Sequence, residues 1–175
     1  MTELQARSSA GREALNELAV QAFGQRGPAV LHISGARDYE ALRAKVKRPD
    51  YVLLPTTDHF GEALAVADLA ISRAGGTVWE LAAAGTPSIL VPYPYATADH
   101  QTLNARHFER GGGAVTLDQS DLSKAHELVS ELLGDAERLG RMRKAMHALA
   151  RPHAADAIAE ELVGLASKGS NDRAK

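Results

Sequence analysis

ADLAISRAGGTVWELAAAGTPSILVPYPYATADHQTLNA, residues 67–105, decides how the rest of the chain is read. It holds two short apolar runs, Leu69-Ala70-Ile71-Ser72 and Ser88-Ile89-Leu90-Val91, each followed by a stretch with helical spacing, at 77–84 and 98–110. An apolar run without polar alternation suits a strand buried on both faces, which is the habit of parallel strands. Strand, helix, strand, helix in this order predicts a parallel α/β sheet.

The same rhythm extends in both directions. Upstream, Leu15, Leu18, Ala19, Ala22 and Phe23 recur at three- and four-residue spacing and predict a helix over 11–24. Strands follow at 29–34 and 51–54, with helices at about 38–47 and 60–67. Downstream, Gly111-Gly112-Gly113 reads as a helix stop, and a last strand at 114–117 leads to helices over 120–133, 136–150 and 154–166. The expected fold is a Rossmann-like doubly wound parallel sheet over residues 10–167, with polar, flexible ends at 1–9 and 168–175. One part of the pattern is lacking. A doubly wound domain opens with a strand and a glycine-rich turn into its first helix, and its first strand lies at the centre of the sheet. No β-branched run or glycine pair precedes the helix here, so the first strand is expected to be missing, leaving two strand edges open or forcing neighbours to close the gap.

Composition narrows the function classes. With 20 Lys+Arg against 22 Asp+Glu, the net charge of -2 gives no general field for a polyanion, so no nucleic-acid partner is expected. The absence of cysteine excludes disulfides, thiolate metal sites and a cysteine nucleophile. The apolar runs fall far short of the roughly 20 residues of a membrane span, and the start lacks the hydrophobic region of a secretory signal. A cytoplasmic location, or a peripheral one on the inner face of the cell membrane, is expected. The histidines lack the spacing of a dedicated metal site, and no cofactor is expected.

In an open parallel sheet, ligands bind beyond the carboxyl ends of the strands. Two such ends carry polar groups here: Arg73 to Thr77 after one strand, Pro92 to Gln101 after the next. Gly75 and Gly76 allow backbone to approach a ligand, and the helix beginning near Thr77 turns its free amides and partial positive charge outward, a setting for phosphate or sugar oxygens. Glu80, three residues beyond Thr77, can accept paired hydrogen bonds from a ribose diol. The same two residues equally fit a capping box, Thr77 capping the helix and Glu80 reaching back to its amide. Asp99, His100, Gln101 and Asn104 offer acceptors and donors suited to a hydroxyl-rich ligand, or a helix cap and solvated side chains.

RAGGTVWELAAAGTPSILVPYP followed by ADHQTLNA resembles the C-terminal domain of the MurG family of UDP-N-acetylglucosamine transferases, which make lipid II on the cytoplasmic membrane face. The resemblance is strongest over residues 68–117 and extends over roughly 12–166. It implies one half of a GT-B fold, two Rossmann-like domains flanking a cleft, with metal-independent transfer that inverts the sugar carbon. It further implies that this half binds the donor, UDP-N-acetylglucosamine, for transfer to undecaprenyl-pyrophosphoryl-MurNAc-pentapeptide. By position, Glu80 would grip the ribose. Arg73, Gly75, Gly76 and Thr77 would lie near the diphosphate and nucleoside, and His100 and Gln101 near the sugar hydroxyls. Thr56 and Thr57 would meet the uracil, and Phe60 would line that pocket. The Arg73 to Glu80 spacing is one residue shorter than in many relatives.

The family's Gly-Gly-Ser loop, acceptor site and catalytic base have no counterpart in this sequence, so no catalytic residue is assigned. The partners expected are an N-terminal acceptor domain or partner subunit and, indirectly, a membrane-bound lipid acceptor. A fragment of a full transferase is expected, inactive by itself. The alternatives are the donor-binding subunit of a two-component N-acetylglucosaminyltransferase, a non-catalytic nucleotide-sugar-binding or assembly module, and an unrelated α/β domain.

Overall fold

The computed structural model describes residues 3–96 and 99–172. Five strands alternate with helices: α1 Glu3–Phe23, β1 Val30–Ile33, α2 Tyr39–Arg43, β2 Tyr51–Leu54, α3 Phe60–Val66, β3 Ala70–Ser72, α4 Thr77–Ala84, β4 Ser88–Leu90, α5 His100–Arg110 and β5 Ala114–Thr116. A 3-10 turn, Gln119–Lys124, then leads to α6 Ala125–Leu133, α7 Ala136–Leu149 and α8 Ala154–Asp172. Every predicted strand and helix is present, with shifted ends. α1 starts ahead of residue 10 because Glu, Leu, Gln, Ala and Arg are good helix formers. α8 likewise carries helical backbone through Lys168 to Asp172. The expected helix at 120–133 is split, its first five residues tightening into the 3-10 turn. Residues 1–2, 97–98 and 173–175 lie outside the described residues, and with them parts of the expected flexible ends and the first residue of the helix expected at 98–110.

All pairings are parallel, and they fall into two ladders: β2 beside β1, and β3 beside β4 beside β5. In a doubly wound sheet of order 3-2-1-4-5-6, the central strand 1 separates these two groups. Among the described residues no strand occupies that place. The neighbours do not close the gap by pairing with each other.

β4 shows why the larger sheet is secure. Ile89 and Val91 enter one apolar cluster and Leu90 the other, all fully buried, because successive side chains of a strand point to opposite faces. The first cluster draws Leu18, Val20 and Phe23 from α1 and Val129 and Leu132 from α6; the second draws Val78 and Leu81 from α4 and Phe108 from α5. α7 reaches both, through Met142 and Met146. Its approach explains the glycine run. A Cβ on Gly113 would stand 2.6 Å from Met146 Sδ and one on Gly111 2.5 Å from Leu149 Cδ1, while Gly111 caps α5.

The smaller ladder packs Val30, Tyr51 and Leu53 on the first cluster and adds a buried polar network. Asn16, buried on α1, donates from Nδ2 to the Ser34 carbonyl at 3.0 Å and to Asp38 Oδ2 at 2.9 Å. Its Oδ1 therefore accepts from His32 Nε2 at 2.9 Å, which leaves His32 Nδ1 to accept from the Tyr51 hydroxyl at 2.8 Å. Burial disfavours the charged forms of both rings, lowering the His32 pKa below 6.5 and pushing that of Tyr51 up to about 12.

Candidate functional site

The carboxyl ends of β3 and β4 carry the two polar loops. α4 begins at Thr77 with Gly76 at the N-cap, and no side chain caps it. Thr77 is thus the first residue inside the helix, and the capping box that Thr77 and Glu80 could have formed is not made. Val78 and Trp79 donate back to the Gly75 and Gly76 carbonyls at 3.2 and 3.1 Å. The amides of Gly75, Gly76 and Thr77 find no backbone acceptor among the described residues, so this turn offers a row of outward donors. Glu80 stands exposed on the same turn, and Trp79 beside it leans onto Phe108 of α5, ring centroids 5.1 Å apart.

Arg73 does not present its guanidinium to this turn. Its Nε donates to the Gly11 carbonyl of α1 at 2.8 Å, with Nη2 on the same oxygen. Nη1 reaches the Val91 and Pro92 carbonyls, both at 3.2 Å, and Nη2 reaches Gln119 Oε1 at 2.8 Å. The Tyr93 ring lies 5.5 Å from the guanidinium carbon. Burial lowers the pKa, yet a guanidinium holds its proton, and here its donors are spent on tying α1, the end of β4 and the 3-10 turn together. Arg73 fixes the loop that follows it.

Gln101 joins the two loops. Its Oε1 accepts from the Tyr93 amide at 3.0 Å, and its Nε2 faces the glycine turn, where a Cβ on Gly75 would come within 3.9 Å. Asn104, one helical turn on, donates from Nδ2 to the Ala74 carbonyl at 2.9 Å and so holds α5 against the loop rather than facing outward. His100 is exposed at the first position of α5, preceded by Asp99 with φ 53 at the N-cap. The structure therefore brings Arg73, Gly75, Gly76, Thr77, Glu80 and Gln101 onto one edge.

Thr57 and Phe60 belong to the neighbouring loop, after β2. Thr57 Oγ1 accepts from the His59 amide at 3.0 Å, which shapes the entry to α3, and Thr56 is exposed. Phe60 is half-buried against the second apolar cluster, the one α4 feeds. No hydrogen bond among the described residues links this loop to the α4 turn. Tyr93, Gln119 and Gly11 support the site without any signal in the sequence, and Asn104, expected to face a ligand, supports the loop instead. Each acts through a backbone group or through a partner distant in sequence, which no local spacing signals.

A hollow of about 490 Å³ lies away from this edge, beside the start of β5, between Gly112, Ala114 and Val115 and the α7 residues Arg138, Met142 and Ala145. The rule that parallel sheets bind ligands at their carboxyl ends favours the α4 turn over that hollow. Among the described residues no cluster of acidic residues and histidines could hold a metal ion.

A parallel α/β sheet wound on both faces, with its loops and helix N-termini gathered on one edge, defines a Rossmann-like half of a GT-B fold. The crystal structure of MurG from Acinetobacter baumannii matches it with a TM-score of 0.75 and 31% sequence identity, over 85% of this chain and 45% of that one. A family model for the glycosyltransferase family 28 C-terminal domain matches residues 9–160, and the chain belongs to that family. Among curated relatives, a protein of Salinibacter ruber is 45% identical over 138 residues, covering 77% of this chain and 37% of its own length. A second, from Nitratidesulfovibrio vulgaris (strain DP4), is 42% identical over 166 residues, covering 90% of this chain and 46% of its own. Both relatives are named UDP-N-acetylglucosamine--N-acetylmuramyl-(pentapeptide) pyrophosphoryl-undecaprenol N-acetylglucosamine transferase. The chain spans less than half the length of the relatives it matches.

Proposed function

We propose that this chain is the donor-binding half of an N-acetylglucosaminyltransferase that uses UDP-N-acetylglucosamine and a lipid-linked MurNAc-pentapeptide acceptor. The observation that carries the reading is the convergence of two loops through Gln101: its carbonyl oxygen is fixed by Tyr93, which leaves its amide group directed to the glycine turn at the head of α4. A diphosphate oxygen suits the outward amides of Gly75 to Thr77, the ribose diol suits Glu80, and the sugar hydroxyls suit Gln101 and His100. Thr57 and Phe60 border the uracil side. That the chain spans less than half the length of these relatives supports a cleft whose second wall belongs to an acceptor half.

In the transfer, the acceptor hydroxyl oxygen attacks the sugar C1 opposite the departing UDP. The new C1–O bond forms as the bond to the β-phosphate oxygen breaks, the electron pair leaves with UDP, and the hydroxyl proton passes to a base on the acceptor half. This chain's share is to orient the donor and receive charge on the diphosphate. No helix among the described residues is long and apolar enough to cross a membrane, so contact with the lipid acceptor is proposed to be peripheral and to occur through the acceptor half.

Isothermal titration of UDP and of UDP-N-acetylglucosamine into the chain and into Glu80→Ala tests the donor reading. Weak binding of both ligands is expected, and Glu80→Ala weakens both by about tenfold, the worth of a charged hydrogen-bond acceptor of roughly 1.5 kcal/mol. Unchanged affinity for both would remove Glu80 from the site. No transfer to a lipid acceptor is expected without the acceptor half, and robust turnover by the chain alone would overturn that division of labour.

A further inference from the structure

Two arginines of this chain knit distant backbone carbonyls together, and they differ in one respect. Arg48 donates to the carbonyls of Phe23, Gly27 and Pro28, and its charge is met by the Asp50 carboxylate. Arg73 donates to the carbonyls of Gly11, Val91 and Pro92 and to Oε1 of Gln119, and no carboxylate among the described residues bonds it. The hydrogen bond with Asp50 raises the pKa of Arg48, whereas burial lowers that of Arg73. A half-buried guanidinium is thus held by neutral acceptors alone.

Gln119 is the place where a counter-charge would cost least. It lies on the 3-10 turn after β5, between Asp118, which is exposed, and Asp121, which pairs with Lys124 at 2.8 Å. In this acid-rich turn the side chain that meets the cation is the neutral one. A glutamate has the same length and shape and would make the stronger, charge-assisted bond. Stability alone therefore favours glutamate at 119, and the amide preserves an unbalanced positive charge.

That charge lies behind the candidate edge. Gly75 is two residues beyond Arg73, so their Cα atoms are within about 7.6 Å. The Tyr93 ring is 5.5 Å from the guanidinium carbon, and the Tyr93 amide holds Gln101, which faces the glycine turn. Glu80 and Asp99 are exposed carboxylates on the same edge and repel an anion. A partly buried charge is screened by salt less than an exposed one, so the field of Arg73 offsets theirs at the turn. We propose, on the reading of the α4 turn as the seat of the diphosphate, that Gln119 keeps Arg73 uncompensated so that its field draws the diphosphate to that turn without contact.

The test is NMR titration of the 175-residue chain with uridine, UDP and inorganic pyrophosphate, following the amides of Gly75, Gly76 and Thr77. Gln119→Glu keeps an acceptor on Arg73 and adds a negative charge. Its thermal stability is expected to hold or rise, while UDP and pyrophosphate bind about tenfold more weakly and uridine changes by less than about twofold. Gln119→Met removes the acceptor and leaves the charge. Its stability is expected to fall, with UDP and pyrophosphate held within about threefold. Affinity and stability moving in opposite directions is an outcome that a purely structural role does not give. Unchanged anion affinity in Gln119→Glu, an equal loss for uridine, or an equal loss in Gln119→Met would overturn the proposal, as would an unaltered chain whose turn amides respond to neither anion. UDP binding that ignores Gln119→Glu leaves the donor reading standing. A charge-dependent pyrophosphate response with no response to UDP-N-acetylglucosamine at Glu80 or Gln101 keeps the field of Arg73 and removes the donor reading.

Discussion

β4 and β1 are both short parallel strands of aliphatic residues, yet they live in different surroundings. Ile89, Leu90 and Val91 have no exposed surface, with a strand on either side and helices on both faces. Leu31 is 47% exposed and its register partner Val52 48%, because β1 has a neighbour on one side and a helix layer on one face. Burial in a parallel sheet is a property of position in the strand order, and a single vacant place in that order strips its neighbours.

The sharpest way to break this contrast is a matched pair of truncations. Leu90→Ala should cost about 2–5 kcal/mol in chemical denaturation, the range for a large-to-small change in a packed core. Leu31→Ala should cost less than about 1 kcal/mol, as for a residue with few neighbours. Comparable losses would mean that the open face of β1 is covered. Next in size, Gly113→Ala drives a methyl group into Met146 and should cost about 1–3 kcal/mol. By contrast, Gly140→Ala, in the interior of α7 with nothing within 4 Å of its new Cβ, should gain about 0.5–1 kcal/mol.

Acid should separate the two regions more gently. The His32 pKa is depressed in the folded state by burial, so the unfolded chain binds the proton first. The stabilisation is complete above about pH 7.5, and it is lost as pH falls from the unfolded value of about 6.5 toward the folded one. Amide exchange in β1 and β2 should quicken across that window while β4 holds steady, and His32→Gln should remove the pH slope. At the other extreme Tyr51, neutral when folded, should cost stability as pH rises past 10.

Much of this was legible in the sequence. Leu69 to Ser72 and Ser88 to Val91 announced buried parallel strands, and the lack of a β-branched run before Leu15 announced the vacant place in the sheet. The glycine run at 111–113 was readable as a stop, though not as the seat of α7, since close approach depends on a helix more than thirty residues away. Arg73 was the least legible. Next to two glycines it suggests a phosphate ligand, yet its partners are carbonyls of α1 and of the residues after β4, which only the assembled fold brings near. The buried chain from Tyr51 through His32 to Asn16 was equally hidden, since it joins three elements by single atoms.

The carboxyl edge of β3 and β4 is proposed to read a nucleotide sugar, with Gln101 on the sugar side. Its most direct test is the ratio of affinities for UDP-N-acetylglucosamine and UDP, by NMR titration, in the chain and in Gln101→Ala. The account predicts a loss of about fivefold to tenfold for UDP-N-acetylglucosamine, the worth of one hydrogen bond, with UDP held within about twofold. Equal losses for the two ligands, or none for either, would contradict it.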